Sequence, residues 1–157
     1  MCKDILSKID QPKLREVAQL FQLDLIVLFG SHAKGRAIKG SDIDIGVRTS
    51  RPDFRQRAVR SEMDWEMNLF AGLSEAIDVP YDMDVVFLNT VGSTLMFEVA
   101  KYGKLIYEKE PTAFHHFRSY AARRFYDDAK FRRLGWEWLK RRCAEWQQNS
   151  LNLSDGN

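Results

Sequence analysis

The order of apolar and polar residues at the start of the chain predicts a helix followed by a buried strand. Apolar residues recur every three or four positions behind Asp10 and Pro12, and this spacing predicts an amphipathic helix that ends near Gln22. The continuous apolar run from Leu25 to Phe29 has the length of a strand buried on both faces, and Gly30 stops it.

The middle of the chain predicts a second strand and a long helix. The segment from Gly30 to Ser41 is basic and rich in turn residues, and the residues from Asp42 to Val47 alternate between polar and apolar as in a strand. Pro52 opens a charged segment that we expect to be helical as far as about Ile77, because its larger apolar residues recur in steps of three and four. These residues are Met63, Met67, Phe70, Leu73 and Ile77.

The remainder of the chain predicts two further strands and a long terminal helix. Met83 to Leu88 are expected to form a third strand that carries Asp84 within it, and a short helix is expected between Gly92 and Gly103. Lys104 to Tyr107 are expected to form one more strand, and Pro111 begins the final helix.

These elements predict an α/β fold with a small mixed sheet, helices packed on one side of it, and a long C-terminal helix. The length of 157 residues suits one domain. We expect its core over residues 1–110 and a helical extension over residues 111–149 that packs on the same domain and is interrupted at Gly135. Residues 150–157 are expected to be a disordered tail.

The overall charge points to no strongly charged partner. The 24 basic and 22 acidic residues leave a net charge of +2, which predicts binding neither to nucleic acid nor to a membrane surface. From Pro111 onward there are nine Lys or Arg residues against five acids, but a mixed helical surface of this kind does not predict direct nucleic-acid binding. Two cysteines and no apolar run of membrane-spanning length favour a soluble, cytoplasmic protein.

One constellation of residues carries a prediction of chemistry. The apolar strand leads directly into Gly30-Ser31, and ten residues later the chain reads Asp42-x-Asp44. Residues i and i+2 of a strand project from the same face, so Asp42 and Asp44 are expected to share one site. Two adjacent carboxylates repel each other unless a cation lies between them, and Mg²⁺ bound to carboxylates and substrate phosphates suits this arrangement.

The segment before the two acids has the composition of a phosphate-binding turn. Gly30 permits close backbone approach, and the Ser31 hydroxyl and nearby amides can donate to phosphate oxygens. Lys34 and Lys39 are candidates to add positive charge, as is Arg36, although loop cations of this kind are more often only solvated.

A third carboxylate is predicted on the next strand. Asp84 adjoins the apolar run directly and is the favoured candidate, provided that its strand lies beside the first acidic one. Asp82 has the same parity along the strand, so it remains an alternative. If neither acid has such a role, the pair is an ordinary polar strand entrance.

The pattern Gly30-Ser31-x10-Asp42-x-Asp44, followed by a later strand acid, resembles the signature of the polymerase-beta-type nucleotidyltransferases. The short chain most resembles the minimal nucleotidyltransferase (MNT) domains that occur as antitoxins beside HEPN-domain RNases. This resemblance implies a polymerase-beta-like nucleotidyltransferase fold. It also implies that Gly30 and Ser31 hold the triphosphate of ATP, and that Asp42, Asp44 and Asp84 bind Mg²⁺. Lys34 stands where many relatives have arginine, which keeps the charge but loses a bidentate donor.

The resemblance further implies transfer of AMP from ATP to a tyrosine hydroxyl of a partner HEPN toxin, which silences the RNase. Two alternatives stay open. A small-molecule nucleotidyltransferase of the antibiotic-modifying kind is disfavoured, because little chain remains after residue 110 to bind such an acceptor. A catalytically idle antitoxin would act by binding alone, and the aromatic, basic C-terminal helix suits a docking surface for a protein partner. His32 is expected to be structural or solvent-facing.

Overall fold

A computed structural model describes residues 5–50, 59–78 and 82–154 of the chain. In this part of the chain, a short 3-10 helix over Ile5–Lys8 precedes six α-helices and four strands. The helices are α1 (Gln11–Leu20), α2 (Gly30–Ala33), α3 (Val59–Ala76), α4 (Ser93–Tyr102), α5 (Ala113–Asp127) and α6 (Ala129–Ser154). The strands are β1 (Leu23–Phe29), β2 (Ile43–Thr49), β3 (Met83–Phe87) and β4 (Lys104–Glu108).

The four strands form one mixed sheet in the order β3-β2-β1-β4. β1 is antiparallel to both β2 and β4, whereas β2 and β3 are parallel and are connected through α3. The mixed sheet that the sequence predicts is therefore confirmed, and the two strands that carry acidic residues are neighbours.

Helices cover both faces of the sheet, which corrects the expectation that they pack on one side. On one face, Leu23, Ile26 and Leu28 of β1 join the core under α1 and α3. On the other face, Leu25 and Val27 join a second core with residues of α4 and α5. Because successive strand residues point to opposite faces, an apolar run without alternation requires apolar partners on both sides.

The predicted helix boundaries at α1 and α4 are confirmed. Asp10 caps α1 by accepting a hydrogen bond from the Lys13 amide at 3.2 Å, and Pro12 lies in the first turn, where its missing N–H costs nothing. Gly92 precedes α4, and Gly103 follows it.

The apolar stripe predicted for α3 differs from the face that the helix buries. Leu69, Leu73 and Ala76 are buried against the first core, whereas Met67 and Phe70 of the predicted stripe are 65% and 43% exposed. Met63 lies in α3, but its side chain is outside the part of the chain that the structure describes, as is the predicted helix start at Pro52.

The C-terminal segment consists of two helices rather than one. α5 buries Ala113, Phe117 and Ala121, of which the last two belong to the second core, and the break before α6 falls at Asp128 rather than at Gly135. Aspartate is a favoured residue immediately before a helix, whereas a single glycine inside an exposed helix costs only about 1 kcal/mol.

Most of α6 does not pack on the rest of the chain. All residues from Arg133 to Trp146 are exposed, although the sequence predicts an extension packed on the domain. The helix reaches Ser154, inside the predicted tail, and residues 155–157 lie outside the described residues. No helix among the described residues is long and apolar enough to cross a membrane.

Candidate active site

The turn from β1 into α2 brings the backbone of Gly30 against Asp44. Gly30 has a φ angle of +67°, a left-handed conformation that residues with side chains rarely adopt. A β-carbon at this position would also overlap the Asp44 carboxylate. Glycine is therefore required for two independent reasons, and the second one fixes the position of a predicted site residue.

The register of β2 and β3 places Asp44 directly beside Asp84. Asp44 is the second residue of β2 and pairs with Asp84, the second residue of β3. Asp42 and Asp82 lie just before their strands and are exposed, and the Asp82 carbonyl accepts a hydrogen bond from the Ile43 amide at 2.8 Å. Of the two candidate third carboxylates, Asp84 is thus the direct neighbour of Asp44.

The carboxylates influence one another electrostatically. Burial is the main cause that raises the pKa of Asp44 above its usual value, and the carboxylates of Asp84 and then Asp42 raise it further. The nearby His32 opposes this increase in part. The site therefore holds a concentration of negative charge that a cation would relieve.

His32 fastens the loop between α2 and β2. Its Nε2 atom lies 3.0 Å from the Ser41 carbonyl oxygen, and the Ser41 hydroxyl accepts a hydrogen bond from the Ile38 amide at 3.0 Å. The Arg36 amide donates to the Ser31 carbonyl oxygen at 2.9 Å. This half-buried histidine helps to hold the loop that returns the chain to Asp42. The sequence predicts a structural or solvent-facing His32, but it does not identify Ser41 as the partner.

The predicted phosphate ligands are placed in different surroundings. Ser31 is half-buried in α2, next to Gly30, whereas Lys39 is exposed in the following turn. Lys34 forms an ion pair with Glu98 of α4 at 2.7 Å, and its amine lies 4.6 Å from the centre of the Tyr102 ring. The ion pair with Glu98 competes with a phosphate for the Lys34 amine. Glu98 lies 64 positions further along the chain, so no local pattern predicts this pairing.

The donor set fits a hard dication that is shared with a substrate. Among the residues that the structure describes, no three His, Cys, Asp or Glu side chains are close enough together to hold a metal ion by themselves. Asp44 and Asp84 nevertheless offer adjacent carboxylate oxygens, and Mg²⁺ typically takes one or two carboxylates and completes its shell with water and substrate phosphates. The geometry suits a metal that binds together with a nucleotide.

The sequence model of the family described as Polymerase beta, Nucleotidyltransferase matches residues 12–112. The chain belongs to this nucleotidyltransferase family. The match extends from α1 through β4, so it includes Gly30, Asp44 and Asp84, and it leaves α5 and α6 outside. No curated protein matches the sequence.

Solved structures share the nucleotidyltransferase fold of this chain. One is a chain of a toxin–antitoxin complex with AMP-PNP, which has 21% sequence identity and a TM-score of 0.60 and aligns over 83% of this chain and 99% of that one. Another comes from a complex of tri-AMPylated Shewanella oneidensis HEPN toxin with MNT antitoxin, with 19% identity, a TM-score of 0.54, and coverage of 82% and 95%. At these identities the similarity shows a common fold.

Proposed function

We propose that this nucleotidyltransferase transfers AMP from ATP to a tyrosine hydroxyl of a HEPN-type toxin and thereby neutralises the toxin. The pairing of Asp44 with Asp84 above Gly30 carries the proposal, because it is the arrangement that an α-phosphate and its cation require. The structural neighbours found in toxin–antitoxin complexes, one with an AMP-PNP ligand and one with an AMPylated toxin, supply the nucleotide and the partner class.

Mg²⁺ is the proposed metal, which Asp42 and Asp44 would hold, with Asp84 as the third carboxylate on the neighbouring strand. When bound, Mg²⁺ neutralises charge on the phosphates and on the attacking and leaving oxygens. Gly30 leaves room for the Asp44 carboxylate at the turn that is proposed to bind the triphosphate, and the Ser31 hydroxyl is proposed to donate to a phosphate oxygen. Lys34 and Lys39 are proposed as further phosphate ligands.

The proposed reaction is an in-line displacement at the α-phosphorus. The tyrosine oxygen forms a bond to the α-phosphorus, and the bond from that phosphorus to the bridging oxygen of the β-phosphate breaks. Pyrophosphate leaves with the electron pair of the broken bond, while the hydroxyl proton passes to the Asp84 carboxylate and then to solvent. Positioning and charge stabilisation therefore account for most of the proposed rate enhancement.

The C-terminal helices supply the proposed docking surface for the toxin. Trp136, Trp138 and Trp146 of α6 are each at least 60% exposed, and tryptophan is the residue most often found at the energetic centre of protein interfaces. Because α6 lies outside the family match, it is not needed to build the nucleotidyltransferase sheet. A protein partner explains such a helix better than a small-molecule acceptor does.

The decisive experiment follows the label of ATP in the presence of the partner. The chain is incubated with Mg²⁺ and ATP labelled at the α- or the γ-phosphate, with and without a purified HEPN-type toxin as the partner. Label that moves to the partner only from the α-phosphate, and not in EDTA, supports the proposal. Transfer from the γ-phosphate would indicate a kinase and overturn it.

Asp44→Asn separates the enzyme from an idle antitoxin. This variant is expected to lose transfer by at least about 100-fold, because the isosteric amide cannot hold the cation or balance its charge. If Asp44→Asn neutralises the toxin as well as the native chain does, binding alone is sufficient. Leu105→Ser, at the opposite edge of the sheet, serves as a control for handling and stability.

A further inference from the structure

An apolar groove runs along the outer edge of the sheet beside Asp84. It has a volume of about 510 Å³ and lies between α3 and β3. Met67 and Phe70 of α3 and Val85 of β3 line it, together with the carboxylate-bearing Glu66 and Asp84. We call this feature the α3–β3 groove. Its volume falls within the range of pockets that bind ligands or anchor side chains.

The outer edge of β3 offers backbone hydrogen-bonding groups to a further strand. β3 is the terminal strand of the sheet, and no other strand in the described part of the chain lies beyond it. The Asp82 carbonyl and the Leu88 amide bond to β2, each at 2.8 Å, so alternate residues of this segment face inward. The amides and carbonyls of Met83 and Val85 therefore face outward.

One face of β3 is apolar and the other is acidic, so the alternating side chains of an added strand would meet different surroundings. Met83 and Val85 belong to the core under α1 and α3, on the side of the groove. Asp84 lies between them at the rim of the groove, and strand alternation projects its side chain toward the other face, where Asp44 lies. An added strand follows the same alternation, and directly opposed side chains have β-carbons about 4.5–5.5 Å apart.

The charge of the groove selects among possible occupants. Among the described residues that line it, both charged ones, Glu66 and Asp84, are acidic, and Asp82 lies immediately before β3. A second copy of β3 would bring these carboxylates together, so pairing between two copies is disfavoured. A segment with basic flanks is complementary.

We infer that the acceptor protein docks as an extended segment along the outer edge of β3, with its tyrosine beside Asp84 and apolar neighbours on both sides in the α3–β3 groove. This inference rests on the proposed function for the identity of the acceptor, and it adds where the acceptor binds and which sequence it carries. Main-chain hydrogen bonds to Met83 and Val85 provide affinity, and the groove provides specificity by binding the apolar side chains of the acceptor segment. The preferred sequence is apolar-tyrosine-apolar with basic residues outside.

Peptides with selective backbone methylation test the strand geometry. The parent peptide has a central tyrosine, valine on both sides, and two lysines at each end. Only alternate residues of a bound strand direct their N–H groups to β3. N-methylation of the two valines and N-methylation of the tyrosine are therefore expected to have unequal effects, with one of them weakening binding by at least about tenfold and the other by less than about threefold. Equal effects overturn the inference.

Substitutions in the α3–β3 groove provide a second test of the docking site. Phe70→Ser and Met67→Ser are expected to weaken binding of the parent peptide about tenfold, while Leu105→Ser at the opposite edge of the sheet leaves it unchanged. Glu66→Lys is expected to weaken binding of the lysine-flanked peptide and to strengthen binding of a glutamate-flanked one. Affinities that do not respond to the groove variants contradict the inference.

Separate measurements of binding and transfer distinguish failure of this inference from failure of the proposed function. Binding is measured by fluorescence anisotropy without ATP or Mg²⁺, and transfer by α-labelled ATP with both the peptide and the partner protein. Transfer to the partner without any binding or modification of the parent peptide overturns the docking mode alone. Peptide binding at the groove without transfer to either acceptor overturns the proposed reaction but leaves the docking surface.

Discussion

Gly30 shows how one residue can control the position of a site. Replacement by alanine imposes a left-handed conformation that costs roughly 1–2 kcal/mol and also drives a β-carbon into the Asp44 carboxylate. Gly30→Ala is therefore expected to reduce transfer by at least about 100-fold, since it displaces a proposed metal ligand. Gly35→Ala is a matched control, because Gly35 has a similar φ of +69° with open space around it. Both variants are compared by thermal unfolding and by transfer assays, and equal activity in the two would contradict the prediction.

Asp44 is expected to reduce the stability of the metal-free protein. Because its pKa is higher in the folded protein than in the unfolded chain, the protonated form favours folding, and this stabilisation is lost as the pH rises through the folded pKa. At pH 7 the ionised carboxylate therefore opposes folding. Asp44→Asn is expected to stabilise the metal-free protein at pH 7 by a few tenths of a kcal/mol, the scale of partly solvated charge interactions, and to have little effect near pH 3.

Denaturant unfolding at both pH values, with and without Mg²⁺, measures this effect. Mg²⁺ with ATP is expected to stabilise the native chain and not the variant, because only the native chain retains the carboxylate that binds the ion. A variant that is less stable than the native chain at pH 7 without metal would show that hydrogen bonds of the carboxylate outweigh its repulsion.

At the level of single residues, the sequence predicts local spacing well and distant partners poorly. The separation of Gly30 from Asp44 is a local pattern, and strand periodicity already places Asp42 and Asp44 on one face. The ion pair between Lys34 and Glu98 joins residues 64 positions apart, so no local period reports it. The choice of candidate site residues thus follows from local spacing, whereas the position of Lys34, a proposed phosphate ligand, depends on tertiary packing.

At the level of elements, confirmed predictions are those in which pattern and packing agree. β1 is a continuous apolar run that must be buried on both faces, and its flanking helices follow from that requirement. α3 is a helix, as its spacing predicts, but two residues of the predicted stripe, Met67 and Phe70, face the α3–β3 groove instead of the core. Periodicity identifies an apolar face, and it does not say whether that face meets the core or a partner.

The link between α2 and α4 supports a prediction at the same scale. Lys34 is held by Glu98, so Glu98→Gln is expected to free the amine and lower the dissociation constant of ATP by about two- to fivefold, the scale of an exposed ion pair. Lys34→Met is expected to raise that constant. Titration with a non-hydrolysable ATP analogue measures the dissociation constants of both variants. Lys13→Met is the control, because it breaks an exposed ion pair between Lys13 of α1 and Glu75 of α3. Weaker binding in Glu98→Gln would instead make Glu98 the residue that positions Lys34.

The whole molecule divides into a catalytic family domain and an exposed helix. The family match ends at residue 112, while the sheet, both cores and the proposed site all lie within the residues that precede α6. The sequence indicates that the terminal helix is too aromatic for its own packing, and the exposed tryptophans agree with that interpretation. It does not indicate the break at Asp128, because the composition on both sides of it suits a helix equally well.

The exposed apolar side chains of α6 suit burial against a partner. Most helical stability in proteins comes from packing of an apolar face. Arg132 anchors only the first turns of α6, by donating to the Phe125 carbonyl oxygen and lying over the Phe125 ring. On the face that carries Trp138 and Trp146, the two residues are 60% and 71% exposed. In the functional assembly, we expect the toxin to pack against this face.

Replacement of Trp138 and Trp146 by serine tests this expectation. The double variant is expected to weaken toxin binding by at least about 2 kcal/mol, roughly 30-fold, because tryptophans at interface centres commonly contribute that much each. Its affinity for ATP is expected to stay unchanged, since α6 lies outside the family domain. A double serine variant of Arg133 and Lys140, which lie on the side of α6 opposite these two tryptophans by its 3.6-residue period, is the matched control. Calorimetric titration with the toxin measures both affinities. If the control weakens binding as much as the tryptophan variant does, the contribution of α6 is its helicity rather than its aromatic face.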